Sequence, residues 1–293
     1  MKPQEYSTTL RVPPGKRISL KDYDPAGKGD FVEKSEAAEA LEDGVRELAR
    51  LQDRLYAQDQ YSLLVILQAM DAAGKDGIIK HVMSGLNPQG TQVFSFKVPS
   101  PEEMDHDYMW RNFKALPERG RIGIHNRSYY EETLVVRVHP PILAGQRLPA
   151  RLKDKGIWKR RFREMNNFER YLVDNGTVVL KFFLHVSKDE QKKRFLERID
   201  MEEKNWKFSS GDVKERALWD DYMRAYEDVL SNTSTTWAPW YIIPADRKWF
   251  TRLAVAGIIG EAMRNLNLAY PTLSEEQKQD LVQAREMLMN EAA

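Results

Sequence analysis

Residues 63–82 read LLVILQAMDAAGKDGIIKHV, and the fold turns on this stretch. Leu63 to Leu67 is a continuous apolar run of the length expected for a strand buried on both faces. A small-residue turn containing Gly74-Lys75 follows, and Ile78 to Val82 then has a helical pattern. Strand, turn and helix in this order form a phosphate cradle: backbone N–H groups and the helix N-terminus face the anion, and the lysine adds a point charge. Against the pattern G-x-x-x-x-G-K-S/T, Gly74 and Lys75 fit, whereas Ala69 stands for the first glycine and Asp76 for the hydroxyl residue. Without context a Gly-Lys turn is a surface turn with a solvated lysine; the buried strand before it supplies the context the motif requires. The missing hydroxyl leaves cation ligation to a carboxylate, Asp71 or Asp76. Asp76 could equally be a first-turn acid that stabilises the helix dipole.

Outward from this segment the chain alternates. Leu41, Val45, Leu48, Leu51 and Leu55 mark an amphipathic helix before the first strand. After it, Thr91–Phe96, Arg121–His125, Thr177–Val186 and Trp240–Ile243 read as four more strands. Ser100-Pro-Glu-Glu103 is a capping box that starts a helix running to about Lys114, and Ser187-Lys-Asp-Glu190 is another directly after the fourth strand. A helix over Arg247–Asn265 and a tail helix capped at Ser274 complete the pattern. Strands separated by helix-length segments imply right-handed crossovers and a parallel sheet covered on both faces, hence an α/β fold with five strands. We divide the chain into an N-terminal arm (1–35), one domain (36–270) and a C-terminal tail helix (271–293).

With 42% hydrophobic and 30% charged residues, the 293-residue chain can bury a core. Lys and Arg number 45 against 44 Asp and Glu, so net charge gives no argument for nucleic acid or an acidic membrane as a partner. Zero cysteines remove disulfides, thiol nucleophiles and Cys-ligated metals. The N-terminus has no signal-peptide core, and no apolar run could cross a bilayer, so a cytoplasmic protein is expected. His81, His125, His139 and His185 have no metal-site spacing.

The third strand runs into His125-Asn126-Arg127-Ser128-Tyr129-Tyr130-Glu131. An acid that would hold a metal at this strand end is replaced by Asn126, which brings no charge. Arg127 points into the crevice where ligands bind in a doubly wound sheet, or pairs at the surface with Glu131 or Glu132. Residues 151–170 carry eight Lys or Arg against three acids, and Lys192, Lys193, Arg194 and Arg198 follow the fourth strand, with Lys204 and Lys207 beyond. Single cations of this kind are ordinarily solvated, but two basic helices flanking one strand of a phosphate-binding fold suggest a polyanion. Trp158, Phe162 and Met165, like Trp219, Tyr222 and Tyr226, recur at helical spacing and read as core stripes.

The stretches LQAMDAAGKDG, GLNPQGTQVFSFKVPS, IHNRSYYEETLVVRVHP, NFERYLVDNGTVVLKFFLHVSKDEQKKRFLERID, EKNWKFSSGDVKERALWDDYMRAYE and TSTTWAPWYIIPADRKWF resemble, in order, the second family of polyphosphate kinases. The resemblance covers residues 15 to 270. It implies a P-loop kinase-like three-layer fold with a helical lid at about 190–225, polyphosphate as donor, Mg²⁺ or alternatively Mn²⁺, and a homo-oligomer, dimer or tetramer. Asn126 looks like the subgroup that phosphorylates both nucleoside mono- and diphosphates. By resemblance, Ala72, Ala73, Gly74, Lys75, Asp76 and Gly77 belong to the phosphate loop, with Asp71 as its metal-organising carboxylate and Arg127 as a phosphate contact. Arg194 and Arg198, with Lys204 and Lys207, would be lid cations that clamp the phosphates; Glu131 is one substitute for the metal contact that Asn126 does not supply. The expected activity is reversible transfer of the terminal phosphate of polyphosphate to AMP or ADP, and to guanine nucleotides as a further option. An ATP-dependent nucleotide or small-molecule kinase and a non-catalytic polyanion-binding protein remain the alternatives; no nucleic-acid or membrane partner is expected.

Overall fold

Five strands, Ser62–Ala69 (β1), Thr91–Ser95 (β2), Ile122–Asn126 (β3), Thr177–His185 (β4) and Trp240–Pro244 (β5), form one parallel sheet in the order β2-β3-β1-β4-β5. The computed structural model describes residues 3–29 and 34–291; positions 1–2 and 30–33 of the expected arm and 292–293 of the tail lie outside them. β1 is central, and Leu63 to Leu67 are all buried, as a strand covered on both faces requires. One face packs under the Lys34–Gln58, Lys75–Val82 and Lys248–Arg264 helices, and the other under Ile157–Asp174 and Trp219–Thr233. The crossovers thus give the three-layer α/β arrangement read from the sequence.

The free edge of β5 is covered by the chain's own beginning. Val12 N–H donates to the Trp240 carbonyl (2.9 Å) and Ile242 N–H to the Leu10 carbonyl (2.9 Å), while Tyr6, Val12, Ile18 and Leu20 are buried. An antiparallel bridge of this kind satisfies edge groups that would otherwise invite another strand.

Two local expectations differ. The helix expected from Ser100 to Lys114 is two short ones, Pro101–Asp105 and Trp110–Phe113. His106 is extended, and the Asp107 carboxylate accepts the Met109 N–H at 2.9 Å, which restarts the chain. The second capping box is half made. Ser187 Oγ accepts the Glu190 N–H (3.1 Å), but Glu190 pairs with Arg194 (2.8 Å) and Asp246 takes the Ser187 N–H (2.7 Å).

The basic stretch 151–170 also resolves into structure. Arg161 is 2% exposed; it donates to the Glu132 carbonyl (2.8 Å) and Gln146 (2.6 Å), and pairs with the Glu132 carboxylate (3.1 Å). Arg160 pairs with Asp154 and Arg170 with Asp174. All three are engaged by protein groups: Arg161 fastens its helix to Glu132 and Gln146, and Arg160 and Arg170 pair close by in sequence.

A lysine in the middle of β4 is fully buried. Lys181 Nζ donates to Glu169 Oε2 (2.5 Å), the Thr233 carbonyl (2.7 Å) and Tyr130 Oη (3.1 Å), while Tyr129 and Tyr130 both donate to Glu169 Oε1. Burial pushes the ammonium below its ordinary value against the pull of Glu169. Removing one partner strands the other charge in the core, so Lys181→Met should cost about 3 to 5 kcal/mol in denaturant unfolding. The double variant Lys181→Met/Glu169→Gln should recover much of that loss; additive losses would show that the two charges are not coupled.

Candidate active site

Parallel pairing brings two strand ends together: Leu67 of β1 faces Asn126 of β3, and the loops that follow both strands emerge side by side at the carboxyl edge of the sheet. The first loop turns through left-handed backbone at Ala72 (φ 62°) and Gly74 (φ 118°), and the second through Arg127 (φ 67°). No heavy atom lies within 4 Å of a Cβ placed on Gly74, so the backbone angle and not space demands glycine. Ala72 and Arg127 have no such freedom and carry strain of order ~1 kcal/mol each, which their neighbours must hold in place.

Lys75 opens the Lys75–Val82 helix, and its Nζ folds back onto the Ala69 carbonyl at 2.9 Å. Burial, and then the nearby Arg127, push its ammonium down to about 8, although Asp71, Glu131 and Asp76 pull the other way. Arg127 bridges two acids, Asp71 (2.9 Å) and Glu131 (3.2 Å). Burial works against its charge, but these two acids raise its pKa above the ordinary arginine value. Glu131 also accepts from Gln68 (2.7 Å), and Asn126 donates to Asp76 (2.9 Å).

Asp71, Arg127 and Glu131 line a cavity of about 30 Å³ together with Glu215, Tyr222 and Tyr226. Glu215 comes from the Ser210–Ala217 helix and is held by Tyr222 Oη (2.6 Å) and His139 Nε2 (2.9 Å). The sequence reading missed Glu215 and His139, and saw Tyr222 and Tyr226 only as core. Both tyrosines are buried, but their positions on the Trp219–Thr233 helix also make them a wall of the cavity.

The helix after β4, Lys188–Asp200, differs from the expectation for its arginines. Arg194 is 4% exposed. Nε donates to Glu190, Nη1 to the Ala72 and Ala73 carbonyls (2.9 Å each), and Nη2 to those of Ala245 (2.7 Å) and Asp246 (3.0 Å). All five donors of the guanidinium are thereby used, so Arg194 supports the loop from beneath and is not a free lid cation. Arg198 reaches the Lys207 carbonyl (3.3 Å) and Asp212 (3.4 Å), and so ties its helix to the residues that follow it. Lys207 is exposed with its ammonium over the Trp206 ring, and Lys204 Nζ lies 2.9 Å from Met201 Sδ.

No three His, Asp or Glu among the described residues are spaced to hold a metal by themselves. Mg²⁺ characteristically uses one or two carboxylates, with water and substrate phosphates completing its shell. Asp71 beside the cavity fits that use. The Asn126 side-chain oxygen, buried with no hydrogen-bond partner among the described residues, could add only a neutral ligand.

The sequence model of polyphosphate kinase 2 matches residues 31–270. The chain belongs to the polyphosphate kinase 2 family. An ADP-polyphosphate phosphotransferase of Rhodopseudomonas palustris is 50% identical over 96% of this chain and 97% of that protein. An AMP/ADP-polyphosphate phosphotransferase of Meiothermus ruber is 46% identical over 89% of this chain and 94% of that protein. The crystal structure of polyphosphate kinase 2 from Arthrobacter aurescens superposes with a TM-score of 0.86 at 39% identity, covering 94% of this chain and 96% of that one.

In this polyphosphate kinase 2 chain the loop lysine generates a pH test. kcat/KM for the phosphate donor reports the free enzyme, so it should fall as pH rises through about 8, where Lys75 loses its proton. A profile flat across that range would separate Lys75 from donor capture. Arg194→Lys keeps the charge but cannot make the five-bond pattern. It should lower kcat/KM by about tenfold or more for donor and acceptor alike, because 1 Å of misplacement at a positioning loop costs both. A loss confined to the donor would return Arg194 to the phosphate chain.

Proposed function

We propose that this enzyme transfers the terminal phosphate of inorganic polyphosphate to AMP and ADP, giving ADP and ATP reversibly, and that guanine nucleotides are further acceptors. The observation that carries this reading is the meeting of Asp71 and Arg127 at one cavity on the carboxyl edge of the sheet, with the Lys75 ammonium held on the carbonyl of Ala69, which lines that cavity, in a chain of this family. The names of the Rhodopseudomonas and Meiothermus relatives support polyphosphate as the donor and ADP or AMP as the acceptor.

The terminal phosphate oxygen of the acceptor is already ionised at neutral pH and needs no general base. It forms a bond to the terminal phosphorus of polyphosphate as the bridging P–O bond breaks, and the shortened chain leaves as an anion with no proton transferred. The protein's work is therefore to align the two chains and neutralise their charge. Lys75 and the loop N–H groups hold the transferred phosphate. Arg127 leaves its pairing with Asp71 or Glu131 to meet it, and of the segment expected as a lid at about 190–225 the part between Arg198 and Trp219 closes to exclude water, since Arg194 and the Trp219–Thr233 helix are packed into the fold. Asp71, together with the substrate phosphates, would hold Mg²⁺ or Mn²⁺, which when bound neutralises phosphate oxygens. The exposed apolar side chains of the Glu275–Met289 helix, Leu281, Val282, Met287 and Leu288, support a homo-oligomer, dimer or tetramer. No helix among the described residues is long and apolar enough to cross a membrane, in keeping with a cytoplasmic enzyme.

Incubation of the protein with AMP, Mg²⁺ and either long-chain polyphosphate or ATP tests the donor. ADP and then ATP should form from polyphosphate; turnover with ATP alone would make this an ATP-dependent nucleotide kinase.

A further inference from the structure

The two edges of the sheet differ. At β5 the chain's own Leu10 and Val12 take the free backbone groups, whereas at β2, the opposite edge, no described residue does so. Phe96 N–H donates to the Asn126 carbonyl (3.0 Å). The even-numbered residues of β2 therefore turn their backbone groups toward β3, and Thr91, Val93 and Ser95 turn theirs outward. The Thr91 N–H is taken by the Pro88 carbonyl. The Thr91 carbonyl and both backbone groups of Val93 and Ser95 have no hydrogen-bond partner among the described residues.

Edge strands that stay single carry a device against pairing: a charge, a proline, a bulge or a covering segment. Thr91–Ser95 reads TQVFS, with no charge and no proline, and its register with β3 runs without a bulge. Val93 is 47% exposed in the middle of the edge, and Val98, just past the strand, is 89% exposed.

The outward groups of this edge complement themselves. In an antiparallel pair with a two-fold axis at Val93, Val93 meets the partner's Val93 and Ser95 meets the partner's Thr91. Each Val93 N–H then donates to the other Val93 carbonyl, and each Ser95 N–H to the other copy's Thr91 carbonyl, the group that Pro88 leaves unused. Opposed side chains are valine with valine, serine with threonine and Gln92 with Phe94, so no like charges are brought together. An unrelated protein would find backbone groups here but no charge to select it; the two-fold register selects this chain.

We infer that the β2 edge is an interface between two copies of this chain, which join their five-stranded sheets edge to edge into one continuous sheet. This rests on the homo-oligomer reading above and gives it a surface other than the tail helix.

The chain contains no cysteine, so one introduced thiol reports the register. Across a hydrogen-bonded antiparallel pair the Cα atoms stand about 5.5 Å apart, within disulfide reach. Val93→Cys oxidised with diamide should therefore run mostly as a covalent dimer on a non-reducing gel. Val98→Cys is the more exposed thiol, but the two copies would lie about 33 Å apart along the paired strands, and it should stay single on that gel. Val93→Lys, which charges the edge, should halve the particle mass of the full chain in light scattering after gel filtration, with the circular dichroism of the folded protein retained. If Val93→Lys unfolds, the comparison of the two cysteine variants decides. Cross-linking of Val93→Cys no greater than that of Val98→Cys, or a folded Val93→Lys of wild-type mass, overturns the edge assignment and leaves the oligomer standing. A monomeric wild type overturns both.

Discussion

The site depends on one buried guanidinium. Arg194 joins three chain segments that leave the sheet at its carboxyl edge: the loop after β1 through Ala72 and Ala73, the turn after β5 through Ala245 and Asp246, and its own helix after β4 through Glu190. A loop with left-handed backbone at Ala72 and Gly74 does not hold its shape by local preference. Its carbonyls must be bonded from behind so that its N–H groups can face forward. A planar group with five donors is suited to this, and a lysine's compact ammonium is not.

On that support the second interaction, Arg127 between Asp71 and Glu131, links the ends of β1 and β3. In the protein without substrate this cation is neutralised by two acids and fixed in a strained backbone angle. An anion that takes this cation must therefore displace a carboxylate from it. Glu215, held by His139 and Tyr222, adds a third acid to the wall and ties the Ser210–Ala217 helix to the same point. The net charge of +1 thus averages two populations: cations consumed by the fold, such as Arg161, Arg194 and Lys181, and cations such as Lys248 and Arg252 that make no ion pair with another described residue.

The five strands, their buried character and the loop motif were legible because each is a local pattern: an apolar run, a small-residue turn, a capping serine. The placement of Asp71, Lys75 and Arg127 at the carboxyl edge of the sheet was legible for the same reason, since they stand in the loops and helix start that follow β1 and β3. What misled was charge counted along the chain. Arg194 and Arg198 share a helix face, and periodicity says so, but it does not say that the face carrying Arg194 is turned toward the loop carbonyls. The 151–170 cations looked like a polyanion surface until Arg161 proved to be packed against Glu132 and Gln146.

The sequence by itself determined the α/β class, the parallel sheet and the strand–turn–helix that carries Gly74 and Lys75, because hydrophobic periodicity and turn chemistry act over a few neighbouring residues. Only the tertiary structure decided which charges serve the fold and which remain for a substrate. That choice depends on partners far apart in the chain, Asp71 with Arg127, Arg194 with Ala245, His139 with Glu215. A charged side chain is structural or functional according to what lies within about 3 Å of it, and no local pattern records that distance.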